Sequence, residues 1–338
     1  METTAPSQVT PVPSLDASAR PAAAGRRQDE VGVGTRDFAP RASARGPQRL
    51  PPWFRQQIPD VVKIGDMKNL FRGGRLHTVC ESAHCPNMGK CWGSGVATFM
   101  ILGDVCTRAC RFCAVRAGRP EPADGEEPRN VALAVKELGL RYVVVTSVAR
   151  DDLKDEGAGH FAETIREIRA LMPQTKIEVL IPDFSGRTEL LQKVADTRPE
   201  VISHNIETVR RLSPLIRPQA GYDSSLSVLK HLKVLSSDIF TKSSIMLGLG
   251  ESREEVVETM HDLRATGCDI LTIGQYLAPT QMKRHLKVER FVAPEEFEDL
   301  RRAGMDLGFK HVMSGPLVRS SYIAEEGYKG CLEALSRV

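Results

Sequence analysis

A chain of 338 residues can bury one large core or two modest ones, and its 41% hydrophobic and 26% charged content is ordinary for a globular protein. A formal net charge of +3 is too small to argue for nucleic acid, and no apolar run approaches the roughly 18 residues that cross a bilayer. Eight cysteines without a signal peptide argue for reduced thiols rather than a disulfide framework, which places the chain in the cytoplasm, or in a mitochondrial or plastid matrix if its N-terminal extension is a transit peptide.

Residues 1–49 are rich in Ala, Pro, Ser, Gly and Arg and poor in large apolar groups, so they read as a disordered extension. The extension has arginines and no lysine, as transit peptides often do, but Glu2, Asp16, Asp29, Glu30 and Asp37 fit such a peptide poorly. Folding starts near Pro51-Pro52-Trp53-Phe54. From there through residue 95 no regular periodicity stands out, only turn signals around Cys80, Cys85 and Cys91. This segment is expected to draw its order from bound metal.

From Val96 the pattern becomes strand, loop, helix, repeated. Apolar strands are predicted at Val96–Leu102, Tyr142–Thr146, Ile177–Ile181, Val201–Ile206, Ser243–Leu247 and Ile270–Ile273. Helices are predicted at Val131–Leu138, His160–Met172, Glu189–Ala195, Ser224–Leu235, Glu254–Ala265 and Pro294–Leu307. Near-continuous apolar strands alternating with helices specify a parallel α/β sheet, here a partial (βα)6 TIM-type barrel over 96–313. An N-terminal segment holding Cys80, Cys85 and Cys91 (50–95), expected to bind metal, precedes it and a tail (314–338) follows.

The chemistry concentrates in two cysteine triads. Cys80, Cys85 and Cys91 have C-x4-C-x5-C spacing; Cys106, Cys110 and Cys113 have C-x3-C-x2-C spacing. Structural zinc asks for four ligands, usually as two close pairs, and neither triad offers that. A [4Fe–4S] cube normally takes one cysteine per iron. Three cysteines therefore leave one iron either open to a small molecule or closed by a ligand from elsewhere in the chain.

The loop Cys106-Thr107-Arg108-Ala109-Cys110-Arg111-Phe112-Cys113 resembles the signature of the radical S-adenosylmethionine (SAM) superfamily. The run Cys85-Pro86-Asn87-Met88-Gly89-Lys90-Cys91-Trp92, then Ala97 to Asp104, then the second triad, is similar to the lipoyl synthase family from about residue 50 to the tail. That resemblance implies two [4Fe–4S] clusters and SAM. The open iron at Cys106, Cys110 and Cys113 would bind SAM. The cluster at Cys80, Cys85 and Cys91 would be closed by the second serine of Arg319-Ser320-Ser321-Tyr322, namely Ser321, with Ser320 the nearest alternative. A serine alkoxide holds iron weakly, so that corner is expected to be labile.

The implied reaction inserts sulfur at carbons 6 and 8 of an octanoyl chain on a lysine of a lipoyl carrier domain, of the 2-oxoacid dehydrogenase or glycine cleavage type, with the second cluster as donor. Implied partners are an electron donor such as flavodoxin or ferredoxin and a cluster-repair protein; nucleic acid and membrane are not expected. Other two-cluster enzymes, such as methylthiotransferases, and a non-catalytic iron–sulfur carrier or zinc-bearing module are the rival readings.

Parallel α/β sites lie at the C-terminal strand ends. This makes Thr146, Ser147, Asn205, Glu207, Gly248 and Gly250 candidate SAM contacts, with Glu251, Gln275 and Tyr276 beside them. Turn and capping chemistry would explain the same residues. Arg150-Asp151-Asp152 reads either as a contact or as a solvated loop. Lys283, Arg284 and Arg290 are candidate docking charges for an acidic carrier. Cys268 and Cys331 read as lone thiols, and no histidine pairs with a cysteine at ligand spacing.

Overall fold

The computed structural model describes residues 49–55, 61–93 and 97–336; Val96, with which the first strand was expected to begin, lies outside them. Eight strands form one sheet in chain order: β1 (His77–Thr78), β2 (Thr98–Ile101), β3 (Tyr142–Ser147), β4 (Lys176–Leu180), β5 (Val201–Ser203), β6 (Phe240–Leu247), β7 (Ile270–Gln275) and β8 (His311–Gly315). β1 runs antiparallel to β2, and every later pair is parallel. Six βα units are complete, and β8 adds a seventh parallel strand, so the sheet is the expected partial barrel with one strand more.

β8 escapes a search for apolar runs because only Val312 and Met313 of its five residues are buried. β6 starts at Phe240, earlier than expected, because Thr241, Lys242, Ser243 and Ser244 are polar yet buried. β5 stops at Ser203, short of the expected Ile206, and the chain then turns through Glu207 at φ +67°.

Polar residues inside strands mark the inward face of the barrel. Lys242 Nζ pairs with Glu178 Oε1 at 2.8 Å, with both side chains no more than 1% exposed. Tyr142 Oη donates to Glu178 Oε2 at 2.8 Å and Ser203 Oγ to Glu178 Oε1 at 3.0 Å. A buried ion pair persists only when its remaining hydrogen-bonding capacity is met, and here it is. Outward residues such as Val143, Val145, Ile177, Val179 and Ile202 pack with helical apolar residues in one core.

The covering helices are α4 (Glu127–Glu137), α5 (Ala158–Leu171), α6 (Thr188–Ala195), α7 (Tyr222–Leu235), α8 (Arg253–Ala265) and α9 (Pro294–Asp306), all at predicted places. α8 starts on a capping box, Ser252 with Glu255.

The segment before the barrel corrects the expectation of irregular chain. It holds α1 (Val61–Gly73), α2 (Val79–Ser82) and α3 (Met88–Gly93). Phe71 packs against Trp92 of α3 and Phe99 of β2, each at 5.5 Å between ring centroids. The segment thus packs into the apolar core it shares with β2 and the barrel helices, besides any metal. The tail ends in α10 (Ala324–Ser336), which covers inward residues: Tyr328 stacks near Tyr142 and Phe240, and Cys331 lies among Val201, Phe240 and Ile270. Cys331 and Cys268 are both fully buried, in keeping with lone packed thiols.

Candidate active site

The second triad hangs from the C-terminal end of β2. Leu102 and Gly103 turn there at φ +69° and +86°, and the Leu102 N–H donates to buried Glu127 at 2.6 Å. Two residues at each end of the loop, Val105-Cys106 and Arg116-Ala117, pair as a short ribbon. Between them Cys106, Cys110 and Cys113 stand on one loop, anchored to several strand ends. Arg108 pairs with Asp151 at 2.6 Å and with Asp183 at 2.8 Å. The Thr107 hydroxyl donates to Asp151 at 2.6 Å. The Arg111 N–H donates to Ile216 at 2.9 Å, and His285 Nε2 donates to the Cys113 carbonyl at 3.0 Å. Arg150, 2% exposed, bonds Asp152, and exposed Asp151 anchors Arg108, so Arg150-Asp151-Asp152 braces this loop from a partly solvated position.

Burial pushes the Cys110 thiol up to about 11 and Cys113 up to about 12. Such thiols ionise only against a compensating cation, as bound iron would supply. The backbone N–H groups of Arg108 and Ala149 already point at Cys106 Sγ, at 3.4 and 3.3 Å, as donors to a thiolate do.

At the strand ends the polar candidates divide. Ser147 Oγ and Asn205 Oδ1 are buried with no hydrogen-bond partner, which fits a polar ligand in the mouth of the barrel. Asn205 Nδ2 donates to Glu207 at 3.0 Å, and burial raises the Glu207 carboxyl while Arg217 opposes the rise. Thr146 Oγ1 is spent on the Leu180 carbonyl at 2.9 Å. Gly248 is filled from behind: a Cβ there would lie 2.1 Å from Gln275 Nε2. Its N–H, with that of Leu249, donates to Glu251, so Glu251 braces the turn, while Gly250 at φ +100° has only Glu289 near its missing Cβ. Gln275 and Tyr276 bond neighbouring carbonyls.

Sequence reasoning missed Arg217. Its guanidinium is buried, donates to the Asn205 carbonyl and to Ser225 Oγ, and lies close enough to Cys110 and Glu207 to act on both. Its one signal was a lone arginine before Pro218. His204 is held neutral beside it; burial and the Arg217 charge pull its imidazole down to about 4.

The first triad is set by short elements. Thr78 caps α2, which carries Cys80; α3 carries Cys91; and Cys85 lies between, after His84 at φ +49°. Cys80, Cys85 and Cys91 line one cavity together with Arg319, Ser321 and Tyr322. Ser321, not Ser320, is the serine that lines it. Burial and the neighbouring thiols raise Cys80 to about 11 and Cys91 to about 12. The indole N–H of Trp92 is buried without a partner in hydrogen-bonding geometry, yet lies near enough to Cys80 to favour its thiolate. Among the described residues no three His, Cys, Asp or Glu side chains converge as around a single ion. Cysteines that each hold a different iron of a cube stand wider apart than that.

A mostly parallel βα sheet with a three-cysteine loop at the end of its first parallel strand is the architecture of the radical SAM enzymes. The Radical SAM superfamily model matches residues 100–263. The fold is similar to that of HydG, a maturase of the [FeFe]-hydrogenase, with a TM-score of 0.51 and 15% identity over 72% of this chain and 54% of that one. Curated relatives carry the likeness further. The lipoyl synthase of Rubrobacter xylanophilus is 53% identical over 86% of this chain and 90% of its own. That of Symbiobacterium thermophilum is 56% identical over 82% of this chain and 86% of its own. The chain belongs to the lipoyl synthase family, radical SAM sulfurtransferases of lipoate biosynthesis that use two [4Fe–4S] clusters and SAM and act on an octanoylated carrier protein.

Proposed function

We propose that Cys106, Cys110 and Cys113 hold the SAM-binding cluster, and that Cys80, Cys85, Cys91 and Ser321 hold the sulfur-donating one. The observation that carries this reading is the common cavity of the first triad and Ser321, which lie 230 residues apart between Cys91 and Ser321 in sequence. With both groups bound, the open iron and SAM supply a primary carbon radical able to take hydrogen from unactivated carbons 6 and 8 of the octanoyl chain, and the auxiliary cluster supplies the two sulfurs.

The residues of the chain bind, orient and shield. Ser147 and Asn205 offer buried polar atoms to SAM, Glu207 offers a carboxylate, and Gly248 and Gly250 let the backbone close round it. Thr146 ties the end of β3 to β4 through the Leu180 carbonyl. Arg108 fixes the cysteine loop to the ends of β3 and β4, where the three cysteines would hold a cluster beside the mouth of the barrel. Arg217 adds a buried positive charge beside Cys110, suited to a carboxylate or to the charge of a reduced cluster.

The working layout is an N-terminal extension (1–49), an auxiliary-cluster segment (50–95), the barrel (96–313) and the tail (314–338), although β8 continues to Gly315. Among the described residues no helix is long and apolar enough to cross a membrane; the setting we propose is cytoplasmic. There a flavodoxin or ferredoxin would supply electrons, and a repair protein would rebuild the spent cluster.

Ser321→Ala tests the reading. The anaerobic variant should still cleave SAM to 5′-deoxyadenosine but add no sulfur to an octanoyl-lysine peptide, read by mass. Full sulfur insertion in that variant would remove Ser321 from the cluster.

A further inference from the structure

The serine proposed to close the auxiliary cluster is carried on a strap, Leu317 to Tyr322, that reaches the triad from the far end of the chain. The loop between Cys85 and Cys91 holds it. Asn87, 2% exposed, donates from Nδ2 to the Leu317 carbonyl at 2.6 Å. Lys90 Nζ donates to Tyr322 Oη at 2.8 Å and stands 5.4 Å from the centre of that ring. Beneath the strap lies Gly274 of β7, where a Cβ would sit 2.1 Å from the Val318 carbonyl oxygen and 3.0 Å from its carbon. Gly274 is not among the glycines at positive φ, so it is space and not backbone freedom that calls for glycine there. Just past Tyr322, Ile323 is held at φ +45°, a costly conformation for a β-branched residue.

We propose that Asn87, Lys90 and Gly274 are positioning residues that seat this strap, and that the Lys90–Tyr322 contact is its latch. This rests on the assignment of Ser321 as the fourth auxiliary ligand. The two ends of the strap differ in kind. The Leu317 end is fixed by a buried amide and by backbone lying on Gly274, neither of which yields without disturbing the sheet. At the Tyr322 end the side chain is held by a solvent-exposed contact, which is weak and reversible, while the backbone two residues on is anchored at buried Ala324, the start of α10. The strap therefore loosens at the tyrosine contact, bowing between its fixed points at Leu317 and Ala324 and withdrawing Ser321, while the three cysteines stay on α2, α3 and the turn between them. The same loop supplies both the cysteines and the groups that deliver the serine, so an ordered triad and a closed fourth corner go together.

Iron release to a ferrous chelator from the anaerobic holoenzyme, saturated with SAM to close the other cluster, tests this. The phase that vanishes in Cys80→Ala reports the auxiliary cluster. Tyr322→Phe and Lys90→Met should each speed that phase about fivefold, the equivalent of one net hydrogen bond, and the double variant should exceed neither. Gly274→Ala should speed it towards the rate of Ser321→Ala. Thermal midpoints and the spectrum of the other cluster should not move in the two surface variants, which a general loosening of the fold would shift. Wild-type release rates in Tyr322→Phe and Lys90→Met, with release fast in Ser321→Ala, overturn the latch and leave the cluster assignment standing. A wild-type rate in Ser321→Ala overturns both.

Discussion

At the scale of single residues, the cysteine triads proposed as cluster ligands stand out from spacing alone, because ligand number is countable in a sequence. The choice among polar candidates was not legible. Thr146 and Ser147 are adjacent and chemically alike, yet Thr146 is spent on a neighbouring strand while Ser147 keeps a buried, unpartnered hydroxyl. Both stand at the C-terminal end of β3, and only the pairing partner decides which hydroxyl is free. Ser147→Ala and Asn205→Ala should each weaken SAM binding about fivefold, the cost of one net hydrogen bond, in equilibrium dialysis of the anaerobic protein. Thr146→Ala should disturb stability more than affinity; equal losses of SAM affinity in all three would count against this division. Arg217 and Trp92 were invisible beforehand, since each matters through a neighbour distant in sequence, Asn205 and Cys110 for the first and Cys80 for the second.

At the scale of elements, the barrel helices and six strands followed from periodicity because each buries one continuous apolar face. Two departures have physical causes. β8 has too few apolar residues to announce itself and is held by pairing with β7 along its whole length. α1 does not stand out in the sequence although Ile64, Met67 and Phe71 recur at helical spacing, because Gly65 and four charged residues dilute the stripe. Phe71 is 1% exposed and joins α1 to the helix that carries Cys91. Phe71→Ala should cost about 3–5 kcal/mol, a large part of the stability of an ordinary domain. Chemical denaturation should show it as a lower midpoint, accompanied by poorer retention of auxiliary iron. An unchanged midpoint would mean that metal, not this core, orders the segment, as the sequence had suggested.

At the scale of the whole molecule, one sheet places two distant triads in working relation. The SAM loop follows β2, the first triad lies just before it, and the strap returns over β7 to meet that triad. On the proposed reading, seven protein side chains are assigned to two cubes, with one corner left for SAM. Iron and sulfide determination on the anaerobically reconstituted protein, with Mössbauer spectra, tests this most directly. The account predicts about eight irons and eight sulfides per chain, falling to about four of each when Cys80, Cys85 and Cys91 are replaced by alanine. Bound zinc, or a single cube in the wild-type chain, would contradict it.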